Sequence, residues 1–431
     1  MPPIKRFRFY FILLSAPIFL PILINQYDYK YTVVIFLFSF LGWLLAGKKN
    51  IHLDNNVRII RIITYLYMAI IILKMIVYND YSYTLFNLLL PFILSAVFIE
   101  YSQSISDSKS QEFIQKCFNA VYVIFILQFV LSLIESLFNF YFVEAYNILN
   151  KNFLEESNTY INRFIIPVPL FLNPFNYLHF GLSGLLGQHN YWGMQLPVYN
   201  LIFLYAYLRN KERKYFIILM FVLVAQVLNT TRTSLVLIVL SDLLMFFYLY
   251  VKTSKRSRLL IYIVTILVII IFSDKIIALL QAIVTKSDTL TIRLNIYQYA
   301  WYYLKVHYQE LLIGYDYRAI GNLVIGFLRS AKFTTILRGF ENGFFDLVFI
   351  YGIAGFTLFL ALVYTIVTIF WKNRHGILLS IVFILYVIFI NMTLTHIFPS
   401  FIFPFIILLI VIISRDTVMN RNGIDKTIEG V

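Results

Sequence analysis

Four short stretches of this chain carry side chains whose types and placing could do chemistry. In "VLNTTRTSLVLIV" (227–239), Arg232 stands between two apolar runs, where a cation is costly unless an anionic or polar group holds it. In "TIRLNIYQYAWYYLKVHYQELLIGYDYR" (291–318), Arg293 precedes a helical pattern and Arg318 follows it. In "GLLGQHNYWG" (184–193), His189 and Asn190 come just ahead of Trp192, and in "RGFENGFFDLVFIYGIAGF" (338–356), Glu341 and Asn342 stand directly before an apolar block.

A guanidinium beside the free N–H groups of a helix start is a good seat for a phosphate, because a planar fork of donors joins the positive end of the helix dipole. A carboxylate at a membrane mouth is either a solvated rim charge or a base tuned by partial burial. His189 or Asn190 could hydrogen-bond a polar substrate; equally, the segment could be an interfacial anchor with Tyr191 and Trp192 in the aromatic belt.

The elements that must position these groups follow from composition. Of the 431 residues, 61% are hydrophobic and 13% charged, and the apolar residues fall in blocks, as in an integral membrane protein and unlike a soluble domain. Most blocks have the length an α-helix needs to cross about 30 Å of hydrocarbon, whereas a β-barrel would show shorter alternating segments. The expected fold is an all-α polytopic bundle. About twelve spans are predicted, at 9–24, 31–46, 59–77, 83–99, 118–138, 192–207, 215–228, 234–251, 259–276, 344–370, 377–392 and 401–413. The segment 164–187 is also apolar, but Pro167, Pro169 and Pro174 argue against a regular helix, so it reads as re-entrant or interfacial.

The cationic segments "KRFR", "KKNIHLDNNVRIIR", "KSQEFIQK", "RNKERK", "KTSKRSR" and "KNRH" occupy every second loop. By the positive-inside rule both termini are then cytoplasmic, and the first span reads as an uncleaved anchor. The net charge of +14 is accounted for by these clusters and by anionic lipid, so it does not imply a nucleic-acid partner. Cys117 is the only cysteine, which excludes an internal disulfide and a cysteine metal site. The tail from Ser414 reads as merely polar.

This topology leaves two large extracytoplasmic loops, 139–191 and 285–343, and puts Arg232 on their side. Loops of that size usually cover or build a site. In the second, Leu294, Tyr297, Trp301, Leu304, Tyr308 and Leu311 recur at helical spacing, predicting an amphipathic helix that Arg293 begins and Gly314 ends. Tyr297 and Trp301 could stack on sugar faces, or pack at the membrane interface. Gly352 and Gly355 read as residues that let helices approach. Lys74 and Glu135, near outer span ends, need no more than snorkelling.

The order "GLLGQHNYWG", "NTTRTS", "TIRLNIYQYAWYYL…LLIGYDY", "ENGFFDLVFIYGIAGF" resembles the O-antigen polymerase and O-antigen ligase superfamily over roughly 184–356, with the amino-terminal spans similar in topology only. The resemblance implies a bundle like that of the GT-C glycosyltransferases in the bacterial cytoplasmic membrane, acting at its outer face on polyprenyl-diphosphate-linked glycans as donor and acceptor. It implies that Arg232 and Arg293 grip the diphosphate. Glu341 stands where the ligase branch carries histidine before Asn, which favours a polymerase of repeat units, from O-antigen or capsule, over a ligase. His189, Asn190, Tyr297, Trp301, Arg318 and Asn342 become candidate glycan contacts; a flippase and a chain-length regulator become candidate partners.

The chemistry agrees: a sugar leaving a diphosphate needs cations more than an acid, since negative charge grows on the leaving group. Attack on the opposite face gives inversion, and the scheme calls for no metal and no cofactor. The rival reading is a transporter, such as a lipid-linked oligosaccharide flippase. Its support is Asp242, mid-span in "LVLIVLSDLLMFF", where a carboxylate suits proton coupling; alternatively Asp242 pairs with a polar group such as Gln128 or Gln226. The unequal placing of the two long loops counts against a carrier built of matched halves, and the histidines at loops or span edges count against an acyltransferase.

Overall fold

The structure, a computed structural model, describes residues 55–79, 83–103, 105, 107–138, 189–229, 231–251, 288–316, 342–393 and 402–421. The predicted spans 9–24, 31–46 and 259–276, the segment 164–187, Arg318 and Glu341 lie outside the described residues. Ten α-helices are described: α1 (Asn55–Val77), α2 (Tyr83–Gln103), α3 (Ser110–Phe138), α4 (His189–Asn210), α5 (Arg213–Asn229), α6 (Arg232–Val251), α7 (Asp288–Val306), α8 (Gly343–Trp371), α9 (Gly376–Thr393) and α10 (Phe403–Arg421). The described residues contain no strand. Four helices, α1, α3, α8 and α10, are long and apolar enough to cross a membrane, and α2, α6 and α9 contain shorter apolar helices.

The apolar pattern explains the packing. In α1 the buried residues Val57, Ile60, Ile63, Tyr67, Ile71 and Met75 recur at helical spacing, yet the opposite face, with Ile59, Ile62, Leu66, Leu73 and Ile76, is exposed and just as apolar. A water-facing helix would carry polar residues there; one apolar face for neighbours and another for lipid is what a membrane helix needs. Helix α10 differs: it is buried nearly all round and packs on α2, α3, α4 and α8, making it the bundle's central post. It also continues past Ile413 to Arg421, burying Ser414, Asp416 and Thr417. The expected polar tail is thus, as far as Met419, a working part of the core, because polar groups such as Asp416 and Thr417 find partners inside.

Those partners gather one end of the bundle. Arg209, at the end of α4, pairs with Asp416 at 2.7 Å, and the hydroxyl of Tyr205 donates to the same carboxylate at 2.5 Å. Asn373, in the α8–α9 turn, donates to Asp416 and Thr417, while Arg374 donates to the Arg209 carbonyl at 2.9 Å. Arg415 donates to Ser110 Oγ at the start of α3 and to the carbonyls of Ser102 in the last turn of α2 and of Ile105 just after it. Tyr248, near the end of α6, reaches the Arg374 carbonyl and His375. Helices predicted to end or begin in cationic loops therefore do meet at one end.

The opposite end holds the one break in a described helix. Helix α8 is capped by Asn342, whose Oδ1 accepts from the amides of Phe344 and Phe345 at 3.0 and 3.2 Å. At Gly352 the backbone turns to φ 71°, ψ −175°, which leaves carbonyls of the preceding turn without their usual intrahelical donors. The chain after α7 supplies replacements: Tyr315 N–H donates to Phe349 O at 2.8 Å, and Lys74 donates to Ile350 O and, at 2.7 Å, to Tyr315 O. Lys74 is 1% exposed. It does not snorkel; it spends its ammonium on main-chain oxygens, a role invisible without the break that creates them.

Gly352→Ala should destabilise the bundle by about 2–4 kcal/mol, since a side chain is strained at this φ and must be forced into a filled space. Its Cβ would sit 2.3 Å from the Leu312 carbonyl oxygen. Thermal unfolding in detergent would show the loss; an unchanged melting temperature would mean that the break is not needed.

Candidate functional site

The end away from the basic cluster carries the described positions singled out in the sequence in two groups: His189, Asn190 and Arg232 at the starts of α4 and α6, and Arg293, Tyr297, Trp301 and Asn342 on α7 and at the cap of α8. Helix α4 starts at His189 and α6 at Arg232, so both dipoles present their positive ends there. The two starts meet through Gly193: a Cβ on that residue would lie 2.3 Å from Thr231 Oγ1 and 2.6 Å from Asn229 Oδ1. The glycine of "GLLGQHNYWG" is thus what lets that stretch close on "NTTRTS". Gln226 braces the junction by donating to the Thr231 carbonyl at 2.9 Å.

Four buried polar atoms flank this junction without a partner among the described residues: Trp192 Nε1, Gln226 Oε1, Thr231 Oγ1 and Ser234 Oγ. Leaving such groups unsatisfied costs about 1–3 kcal/mol each, and groups of this kind mark places where something polar is received. They supply donor-only, acceptor-only and two-way groups. Trp192 is fully buried against Phe129, with ring centroids 6.3 Å apart, so it belongs to the interior and not to the interfacial belt expected for it.

The second loop's helix lies at the same end. It starts at Asp288, five residues before Arg293, so Arg293 does not begin it; at the second turn its amide lies past the four free N–H groups of a helix start. The α-helix stops at Val306, a 3-10 turn covers Tyr308–Leu312, and the chain reverses at Gly314 with φ 87°. The helical spacing that runs to Leu311 thus spans two kinds of turn.

Helix α7 buries Ile296, Ala300 and Leu304. Tyr297 is half-buried and stacks on Phe345 of α8 at 5.4 Å, which occupies one ring face and fixes α7 to α8. Trp301 is 57% exposed, with the Lys305 ammonium 5.7 Å from its ring, and Tyr302 and Tyr308 are each 65% exposed. Trp301 therefore keeps accessible aromatic surface, whereas Tyr297 has largely spent its own. Asn342 has its Oδ1 committed to the α8 cap.

Asp242 has a polar partner, though neither of those expected. Asn200 of α4 donates to its Oδ1 at 3.1 Å, while Gln128 pairs with Gln195 and Tyr199, and Gln226 with Asn229 and Thr231. No group of three or more His, Cys, Asp or Glu side chains that could hold a metal ion occurs among the described residues. Comparisons with protein-family models, with curated proteins and with solved structures give no match. The fold and site define the class as far as a helical bundle with membrane-crossing helices.

Proposed function

We propose that this chain is a membrane glycosyltransferase that polymerises polyprenyl-diphosphate-linked oligosaccharide repeat units, of O-antigen or capsular polysaccharide, at the outer face of the bacterial cytoplasmic membrane. The observation that carries the reading is the α4–α6 junction: two helix starts, one of them Arg232, close on each other beside four buried polar atoms that have no partner among the described residues. Such a place suits the diphosphate and first sugar of a lipid-linked donor. In this scheme Arg232 and Arg293 bind the leaving diphosphate, Glu341 orients or deprotonates the acceptor hydroxyl, and the exposed rings of α7, Trp301 foremost, offer flat apolar surface to sugar faces. His189, Asn190, Arg318 and Asn342 are the remaining candidate contacts, and transfer inverts the anomeric centre without a metal.

Deleting the chain in the producing cell and sizing its surface polysaccharide tests the reading. Loss of long chains, with single repeat units still exported, is the expected result. Intermediates trapped inside would favour the rival, a flippase or other transporter, whose support is the buried carboxylate of Asp242 near mid-span. Glu341→Gln should slow transfer about 10²- to 10⁴-fold while leaving donor binding intact if the carboxylate acts as a base. A wild-type rate in that variant would leave Glu341 a rim charge.

A further inference from the structure

Asp242 and Asn200 face each other across the α4–α6 seam, ten and eleven residues beyond the helix starts at Arg232 and His189. That places them about 15 Å along each helix at 1.5 Å per residue, near the middle of the span. Both are buried, Asp242 at 6% exposure and Asn200 at 1%. One hydrogen bond joins them, from Asn200 Nδ2 to Asp242 Oδ1. The second carboxylate oxygen of Asp242, Oδ2, and the amide oxygen of Asn200, Oδ1, have no partner among the described residues.

Two acceptors left over on an acid–amide pair are a specific shortage: one donor is missing, and a proton on the carboxyl provides it. A carboxylic acid and a carboxamide can close a planar ring with two hydrogen bonds, N–H to carboxyl oxygen in one direction and O–H to amide oxygen in the other. We infer that Asp242 carries a proton on Oδ2 and donates it to Asn200 Oδ1, so that the α4–α6 seam is a proton-binding site inside the bundle. Uptake converts a carboxylate and one solvent proton into a neutral acid; no other bond changes.

The surroundings favour the neutral form. On the helices packed against α6, the described ionisable side chains are Tyr199, Tyr205, Tyr207 and Arg209 of α4, Arg213, Lys214 and Tyr215 of α5 and Tyr386 of α9, with Tyr248 on α6 itself and His375 just before α9. The cations among them sit at the basic end, and Arg209 is already paired with Asp416. Nearby Ser241 is turned to the Leu237 carbonyl at 2.6 Å. An ionised carboxylate here would lack a countercharge among the described residues, in the part of the bilayer where charge is most costly. The proton also matters for the seam itself, because the helices it ties are those whose starts meet at Gly193.

Infrared spectroscopy of the full chain in phosphatidylcholine vesicles tests this without any assay of activity. At neutral pH the protein should show the carbonyl band of a protonated carboxylic acid, shifted in D₂O, absent from Asp242→Asn and moved in frequency in Asn200→Leu. The band should fade as pH rises. Asp242→Asn can close the same ring with two amides and should keep the wild-type melting temperature, whereas Asp242→Leu should lower it. Absence of the band from the wild type overturns the inference, as does a band that Asn200→Leu leaves unmoved. A melting temperature raised by sodium in the wild type but not in Asp242→Asn would overturn it too, placing a metal cation where the proton is assigned.

Discussion

Arg209→Met is expected to cost the bundle about 3–5 kcal/mol, the range for removing one partner of a buried ion pair. Its side chain is 4% exposed and that of Asp416 only 1%, so the substitution strands a carboxylate that water cannot reach. The hydroxyl of Tyr205 and the amide of Asn373 would still donate to it, but neither carries a charge. The loss should appear as a lowered melting temperature in detergent and a reduced yield in the membrane. Because a stranded charge causes the damage, Arg209→Met combined with Asp416→Leu should recover much of the stability. If the double variant proves as unstable as the single one, packing and not charge is what the pair provides.

Arg232→Ala should abolish long-chain polymer while the protein still inserts, on the reading that its guanidinium grips a leaving diphosphate. Each charge-assisted hydrogen bond is worth about 1.5–3 kcal/mol, so two of them correspond to roughly 10²- to 10⁴-fold in rate. Arg232→Lys should recover only part of that, because an ammonium keeps the charge but loses the planar fork. Arg293→Ala is expected to behave as Arg232→Ala does. Polysaccharide sizing beside quantification of the protein in the membrane fraction separates lost transfer from lost folding, and normal polymer in either alanine variant removes that arginine from the scheme.

Much of the architecture was legible from periodicity alone. Nine of the predicted spans coincide with described helices, and the cationic loops forecast which helix ends meet. The misses share a cause: each depends on a partner far away in the chain. Lys74 reads as a snorkelling residue because the two carbonyls it serves come 241 and 276 residues later, on Tyr315 and on Ile350 just before the break in α8. Asp416 looked like tail because Arg209 and Tyr205 lie on another helix. Asn200, in an unremarkable apolar stretch, gave no sign of facing Asp242.

At the candidate site, residue type suggested Arg232 and its neighbours, and helix geometry then put α4's start and α6's start together. The atoms of Trp192, Gln226, Thr231 and Ser234 that have no partner among the described residues are not legible in the sequence, since satisfaction is a property of surroundings that no single position reveals. Their only sequence signal was polar residues crowding an otherwise apolar helix end.

The break at Gly352 has a bearing on how such a protein could acquire new specificities. Besides the buried ring of Tyr315, which packs on Phe349, peptide groups moor the chain after α7 to the bundle: the Tyr315 amide on Phe349, the Tyr315 carbonyl on Lys74, and the Gly314 carbonyl on the Tyr78 hydroxyl at 2.7 Å. Peptide groups belong to every residue, so exchanging the exposed Tyr308 of that segment, or Trp301 and Tyr302 in the last turns of α7 just before it, would change the exposed surface without slipping the anchorage. The fastening and the exposed aromatic surface are thereby carried by different groups of neighbouring chain, and the second can drift while the first stays put.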